Sequence, residues 1–102
     1  MRWPHLVVCF VAGVFLANTV PHLVNGVSGN KFPTPFSKPS GRGLSSPLTN
    51  TLWGLLNLLI GSLLYQASRP VLATATGTLL LYAGIALSSV ACTLGFTHKH
   101  RE

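Results

Sequence analysis

Residues 47–67 have the sequence PLTNTLWGLLNLLIGSLLYQA, which contains no charged side chain. About 20 helical residues cross the ~30 Å hydrocarbon core of a bilayer, and this stretch has that length. Ser46 and Pro47 are typical of a helix cap followed by proline at the first helical position. Trp53 and Tyr65 lie toward its two ends, where aromatic side chains meet the membrane interface. The stretch therefore predicts a transmembrane helix.

Two further stretches on either side of it, residues 3–24 and 71–97, are also apolar and free of charge. Only 8% of the 102 residues are charged, against about 25% in an ordinary soluble domain. Helices that pack in a soluble core would carry a polar face, and these stretches have none. The sequence predicts an all-α integral membrane protein, with residues 1–102 forming a single membrane domain of three transmembrane helices.

The first predicted helix, residues 3–24, contains a proline. Pro21 has no N–H to give the carbonyl of Ala17, so we expect a kink near residue 21. A cleaved signal peptide is the alternative interpretation of this segment. The pattern favours a retained helix, because Phe15 occupies the position where a cleavage site needs a small residue.

A short break separates the second predicted helix from the third. Ser68, Arg69 and Pro70 form this break, and Pro70 is suited to open the helix over residues 71–97. Helices joined by so short a turn usually pack side by side. We therefore expect the last two helices to form an antiparallel hairpin.

Residues 25–46 form a basic loop rich in proline and glycine, and residues 98–102 form a basic tail. The loop contains no acidic residue, and its aromatic and basic side chains suit the headgroup region of a bilayer. These side chains are Phe32, Phe36, Lys31, Lys38 and Arg42. In one interpretation the three basic residues contact anionic headgroups or another anion. The alternative is a solvated connector whose charges only set the topology.

The distribution of basic residues predicts an orientation. Two of the seven, Arg2 and Arg69, lie on the side of the N-terminus. The other five lie in the loop or the tail, and they are Lys31, Lys38, Arg42, Lys99 and Arg101. The positive-inside rule then places loop 25–46 and the C-terminus in the cytoplasm. No nucleic-acid motif accompanies the charge, so we expect no nucleic-acid partner.

Small and polar residues recur on single faces of the predicted helices, which is typical of helix–helix contacts in membranes. The candidates for helix packing are Gly54, Gly61, Gly77, Gly84 and Ser88. Four polar side chains could either bond a neighbouring helix or line a polar path, namely Asn18, His22, Asn50 and Asn57.

Acidic side chains are almost absent, since the chain has no Asp and its one Glu is residue 102. Paired carboxylates and a Ser-His-Asp triad are therefore excluded, and hard-cation sites lack charged oxygens. We expect no enzyme activity, no cofactor and no metal site.

Several short segments resemble a family of small bacterial multi-pass inner-membrane proteins that are uncharacterised. The segments are NTVPH at residues 18–22, NGVSG at 25–29, FPTPF at 32–36, GRGLSSP at 41–47, and Asn50 with Trp53 and Gly54. The resemblance covers roughly residues 18–57. It implies a bacterial inner membrane and no catalytic residues.

Two functions agree with these observations. The first is an interaction or accessory subunit, whose small-residue faces bind copies of the chain or a larger membrane protein. The alternative is a homo-oligomeric carrier or pore for a small neutral or anionic solute, with the four polar side chains along its path.

Overall fold

A computed structural model of the chain describes residues 3–37 and 43–96. Within these residues the secondary structure is helical, apart from an isolated bridge between Phe32 and Ser45. The helices are α1 (Trp3–Val27), α2 (Pro47–Ala67), α3 (Arg69–Leu72) and α4 (Ala75–Phe96).

Three of these helices, α1, α2 and α4, are long and apolar enough to cross a membrane. At about 1.5 Å per residue, each exceeds the ~30 Å thickness of the hydrocarbon core. The predicted class, an all-helical chain with three helices of spanning length, agrees with this architecture. The basic tail at 98–102, together with Lys38 and Arg42, lies outside the described residues.

Helix α1 extends to Val27, three residues beyond the predicted end at residue 24. It continues through Pro21, and the kink expected there stays a prediction. The last turn is held by the Asn25 side chain, whose Nδ2 donates to the Pro21 carbonyl oxygen at 2.6 Å. The helix ends before Gly29, which has a φ of 77° that glycine adopts readily.

Helix α2 has the range that its sequence predicts. Ser46 precedes it in extended conformation and its Oγ accepts a hydrogen bond from the backbone N–H of Thr49 at 3.1 Å. Pro47 is the first helical residue, and at that position a backbone N–H would have no intrahelical acceptor, so proline costs no hydrogen bond. Local capping therefore accounts for the start of this helix.

The third predicted helix, residues 71–97, is divided in the structure. Pro70 belongs to the short helix α3, and the long helix α4 begins only at Ala75. Thr74 makes the break, because its Oγ1 accepts from the backbone N–H of Gly77 at 3.1 Å and donates to the Val71 carbonyl at 2.6 Å. The prediction missed this second cap.

Helix α1 lies between α2 and α4, and among the described residues these outer helices do not pack on each other. Gly54 and Gly61 of α2 lie against Leu23 and Leu16 of α1, so α2 runs antiparallel to α1. Gly84 and Ser88 of α4 lie against Phe10 and Val14, so α4 runs parallel to it. The expected hairpin of two packed helices is not found, because the small-residue faces of both helices meet α1.

The backbones of α1 and α4 come into direct contact at two glycines. A Cβ on Gly84 would collide with the carbonyl oxygen of Phe10, and one on Gly13 would collide with the carbonyl oxygen of Leu81. Only residues without a Cβ permit this separation.

We expect Gly84→Leu to lower the free energy of unfolding by about 1–3 kcal/mol, because the added side chain must push α4 away from α1. Gly95→Leu is the matched control, since Gly95 is on the same helix with no atom within 4 Å of an added Cβ. Unfolding in dodecylsulfate mixed micelles, followed by tryptophan fluorescence, measures both. Equal effects of the two substitutions would contradict the close α1–α4 contact.

Candidate functional site

A buried polar cluster lies where α1 ends and α2 begins. His22 of α1 and Asn50 of α2 have exposed fractions of 2% and 0%. The His22 Nδ1 and the Asn50 Oδ1 are 2.9 Å apart. The predicted polar residues at these two positions therefore meet, and they join α1 to α2.

The amide of Asn50 also holds the loop that connects these helices. Its Nδ2 donates to the carbonyl oxygens of Phe32 at 2.9 Å, Ser46 at 3.0 Å and Ser45 at 3.2 Å. Because an amide nitrogen only donates, the Asn50 oxygen is the acceptor that remains for His22. The proton of this hydrogen bond is therefore on His22 Nδ1.

The described parts of the loop cover the cluster. Phe32 and Ser45 exchange backbone hydrogen bonds of 3.3 and 2.9 Å, and the hydroxyls of Thr34 and Ser45 are 2.6 Å apart. Phe32, Pro33 and Thr34 are all buried. The sequence suggests that both phenylalanine rings can sit at the membrane interface. The chain itself covers the Phe32 ring, and for Phe36 the suggestion stays a prediction.

Aromatic rings close the cluster on its outer side. The rings of Phe32 and His22 meet edge to face with centroids 5.4 Å apart. The ring of Trp53 stands 6.4 Å from that of His22 and 5.2 Å from that of Phe36. Phe36 is exposed, with 64% of its surface accessible. Of the loop's expected headgroup-binding residues, Lys31 is exposed, and Lys38 and Arg42 lie outside the described residues.

A second polar layer lies deeper along α1. Asn18 Nδ2 donates to Asn57 Oδ1 at 3.1 Å, and Asn57 Nδ2 donates to the Trp53 carbonyl at 2.7 Å. The Cys92 thiol lies 3.8 Å from Asn18 Oδ1. Asn18 therefore contacts both outer helices. The Cys92 contact was not predictable from the sequence, because a cysteine in an apolar stretch is usually a packing residue.

The predicted packing residues divide into two groups. Gly54, Gly61, Gly84 and Ser88 all face α1. Gly77 instead lies against the Val71 carbonyl, so it accommodates α3 and not a neighbouring long helix. Two glycines of α1 also make such contacts, Gly13 with α4 and Gly26 with α2. Gly13 belongs to the small-residue face that the sequence indicates on this helix together with Cys9 and Ala12, whereas Gly26 was missed.

The chemistry of these groups is that of neutral hydrogen-bonding side chains. Both cysteines are free thiols, and within the described ranges no three His, Cys, Asp or Glu side chains are grouped as metal ligands would be. The Asn50 cluster and the Asn18–Asn57 layer fix helices and loop relative to one another. No family model matches the chain, and no curated protein or solved structure matches it significantly. The family resemblance noted above stays a prediction.

We expect Asn50→Leu to lower the free energy of unfolding by about 1–3 kcal/mol, because leucine has a similar size but leaves buried carbonyls unpaired. The loop should also become cleavable by protease, because its attachment to α2 is lost. Asn30→Leu is the control, since Asn30 is exposed in the same connection. An unchanged proteolysis rate in Asn50→Leu would show that the amide does not hold the loop.

Proposed function

We propose that this chain is an accessory subunit in a membrane, which binds copies of itself or a larger membrane protein through the outer face of α4. We further propose that the membrane is a bacterial inner membrane, with loop 25–46 and the C-terminus in the cytoplasm. Lys31, Lys38 and Arg42 would then meet anionic lipid headgroups. The proposal assigns no catalytic step and no cofactor.

The outer face of α4 is the observation that carries the proposal. α4 is the least buried of the three helices of spanning length. Opposite its Gly84 face, one line of exposed residues includes three small side chains, which are Ala86, Ser89 and Thr93. Such residues allow a second helix to approach closely, whereas a purely lipid-facing surface gains nothing from them.

The alternative carrier or pore has less support. Its path would be lined by four polar side chains, yet His22 bonds Asn50 and Asn18 bonds Asn57. Side chains that are hydrogen-bonded to one another have few donors and acceptors left for a solute. Their pairing favours a role in helix packing.

The central position of α1 also bears on whether this helix is retained. Both outer helices pack on α1 and not on each other. Cleavage after α1 would leave α2 and α4 without their contact surface, so we propose that α1 is retained.

Photo-crosslinking tests the role of α4. With a photoreactive amino acid at Ala86 we expect protein adducts, and at Leu59, an exposed position on α2, we expect lipid adducts alone. A mass increase of 10.8 kDa identifies a second copy, and a larger one identifies another protein. Equal protein yields at both positions would contradict the proposal. The proposal would also be contradicted if proteoliposomes containing the wild-type chain took up a small neutral solute and those containing Asn57→Leu did not.

A reporter enzyme active only in the cytoplasm tests the orientation. Fused at the C-terminus it should be active, because the positive-inside rule keeps the basic loop and tail on that side. Fused within the turn at residues 68–70 it should be inactive. The reverse pattern would show that the chain has the opposite topology.

A further inference from the structure

A groove lies at the end of the bundle opposite the Asn50 cluster, and it has no part in the proposed α4 interface. It has a volume of about 620 Å³, within the ~300–1,000 Å³ typical of ligand pockets. Its walls come from α1, α2 and α3, and the lining residues are Leu16, Ser62, Tyr65, Gln66 and Arg69. We propose that this groove binds one phospholipid with an anionic headgroup, taken from the leaflet at the Arg69 end.

The lining changes from apolar to polar along the groove. Leu16 lies at its base against Gly61, where an added Cβ would come within 2.8 Å of the leucine side chain. Ser62, Gln66 and Arg69 are spaced by four and three residues, so they form one line that ascends α2 into α3. The base lies within the apolar span and the cationic end lies at the turn. An acyl chain and its headgroup have the same arrangement.

The polar side chains of the groove are available to a ligand. Within residues 3–37 and 43–96, none of Ser62, Tyr65, Gln66 and Arg69 makes a side-chain hydrogen bond. The amides of Asn18 and Asn57, by contrast, are bonded inside the same bundle. Polar groups at membrane depth normally find partners. The groove is therefore lined by four polar side chains that form no hydrogen bond within the described chain. They are the hydroxyls of Ser62 and Tyr65, the Gln66 amide and the Arg69 guanidinium.

The charge of Arg69 selects the headgroup. The chain has seven basic residues and a single acid, Glu102, which is outside the described ranges. The part of the chain that the structure describes thus offers Arg69 no carboxylate. A guanidinium at the membrane interface binds phosphate through its planar fork of N–H donors. Phosphatidylglycerol supplies that phosphate with a net negative charge and hydroxyls for Gln66 and Tyr65.

Native mass spectrometry of the detergent-solubilised protein tests the site, with phosphatidylglycerol and phosphatidylcholine of equal chain length as probes. The wild type should retain phosphatidylglycerol preferentially. Arg69→Gln should weaken that retention about fivefold and abolish the preference over zwitterionic phosphatidylcholine, because it removes one cation at the surface. Asn30→Gln is the control, since Asn30 is an exposed, uncharged residue at the other end of the bundle and should change neither lipid.

A second variant tests the groove independently of the charge. Ser62→Trp fills the channel between the apolar base and Arg69, so it should reduce retention of both lipids. Inorganic phosphate, added as a competitor, should not displace the lipid, because it lacks the acyl chain. Equal retention in wild type and Arg69→Gln would overturn the proposal. So would unaltered retention in Ser62→Trp, or full displacement by inorganic phosphate, which would indicate a simple anion site. No residue of α4 lines the groove, so a negative result here is distinct from a failure of the proposed α4 interface.

Discussion

The backbone contact of α1 with both of its neighbours is the constraint on which the rest of the structure depends. Inside lipid the hydrophobic effect does not drive helices together, so close packing and hydrogen bonds must do so. Gly13 and Gly84 bring α1 and α4 together, while Gly54 and Gly61 admit α1 side chains on the other side. With α1 in the middle, polar side chains on it can reach either outer helix, and Asn18 reaches both.

The features that sequence predicts well are those decided within a few residues. Hydropathy and the absence of charge indicate three spans, and Ser46 with Pro47 accounts locally for the start of α2. Which helices pack on each other is not decided within a few residues. A short connection suggested that the last two helices are neighbours, but packing depends on which faces carry small residues, and both faces meet α1. The second cap at Thr74 was missed because Pro70 is an equally plausible start from sequence.

The sequence identifies which residues form the candidate site, but it does not predict which of them contact one another. Polar side chains in apolar spans stand out, so His22, Asn50, Asn18 and Asn57 were identifiable. The burial of Phe32 was not, because it depends on the Asn50 amide, which is 18 residues away in the sequence. Phe-Pro-Thr-Pro-Phe suggested a stiff segment, but stiffness does not determine whether a segment faces lipid headgroups or folds back over a helix end.

The polar side chains are buried and hydrogen-bonded at one end of the bundle and line an open groove at the other. At the Asn50 end, an amide binds three carbonyls and an imidazole, and a folded loop covers them. At the Arg69 end, the connection is residues 68–74, which are mostly taken up by α3, and Arg69 of that helix lines the groove. Polar side chains there must find partners outside the described chain. The longer connection thus supplies residues that cover the Asn50 cluster, whereas the shorter one leaves the groove at the Arg69 end open.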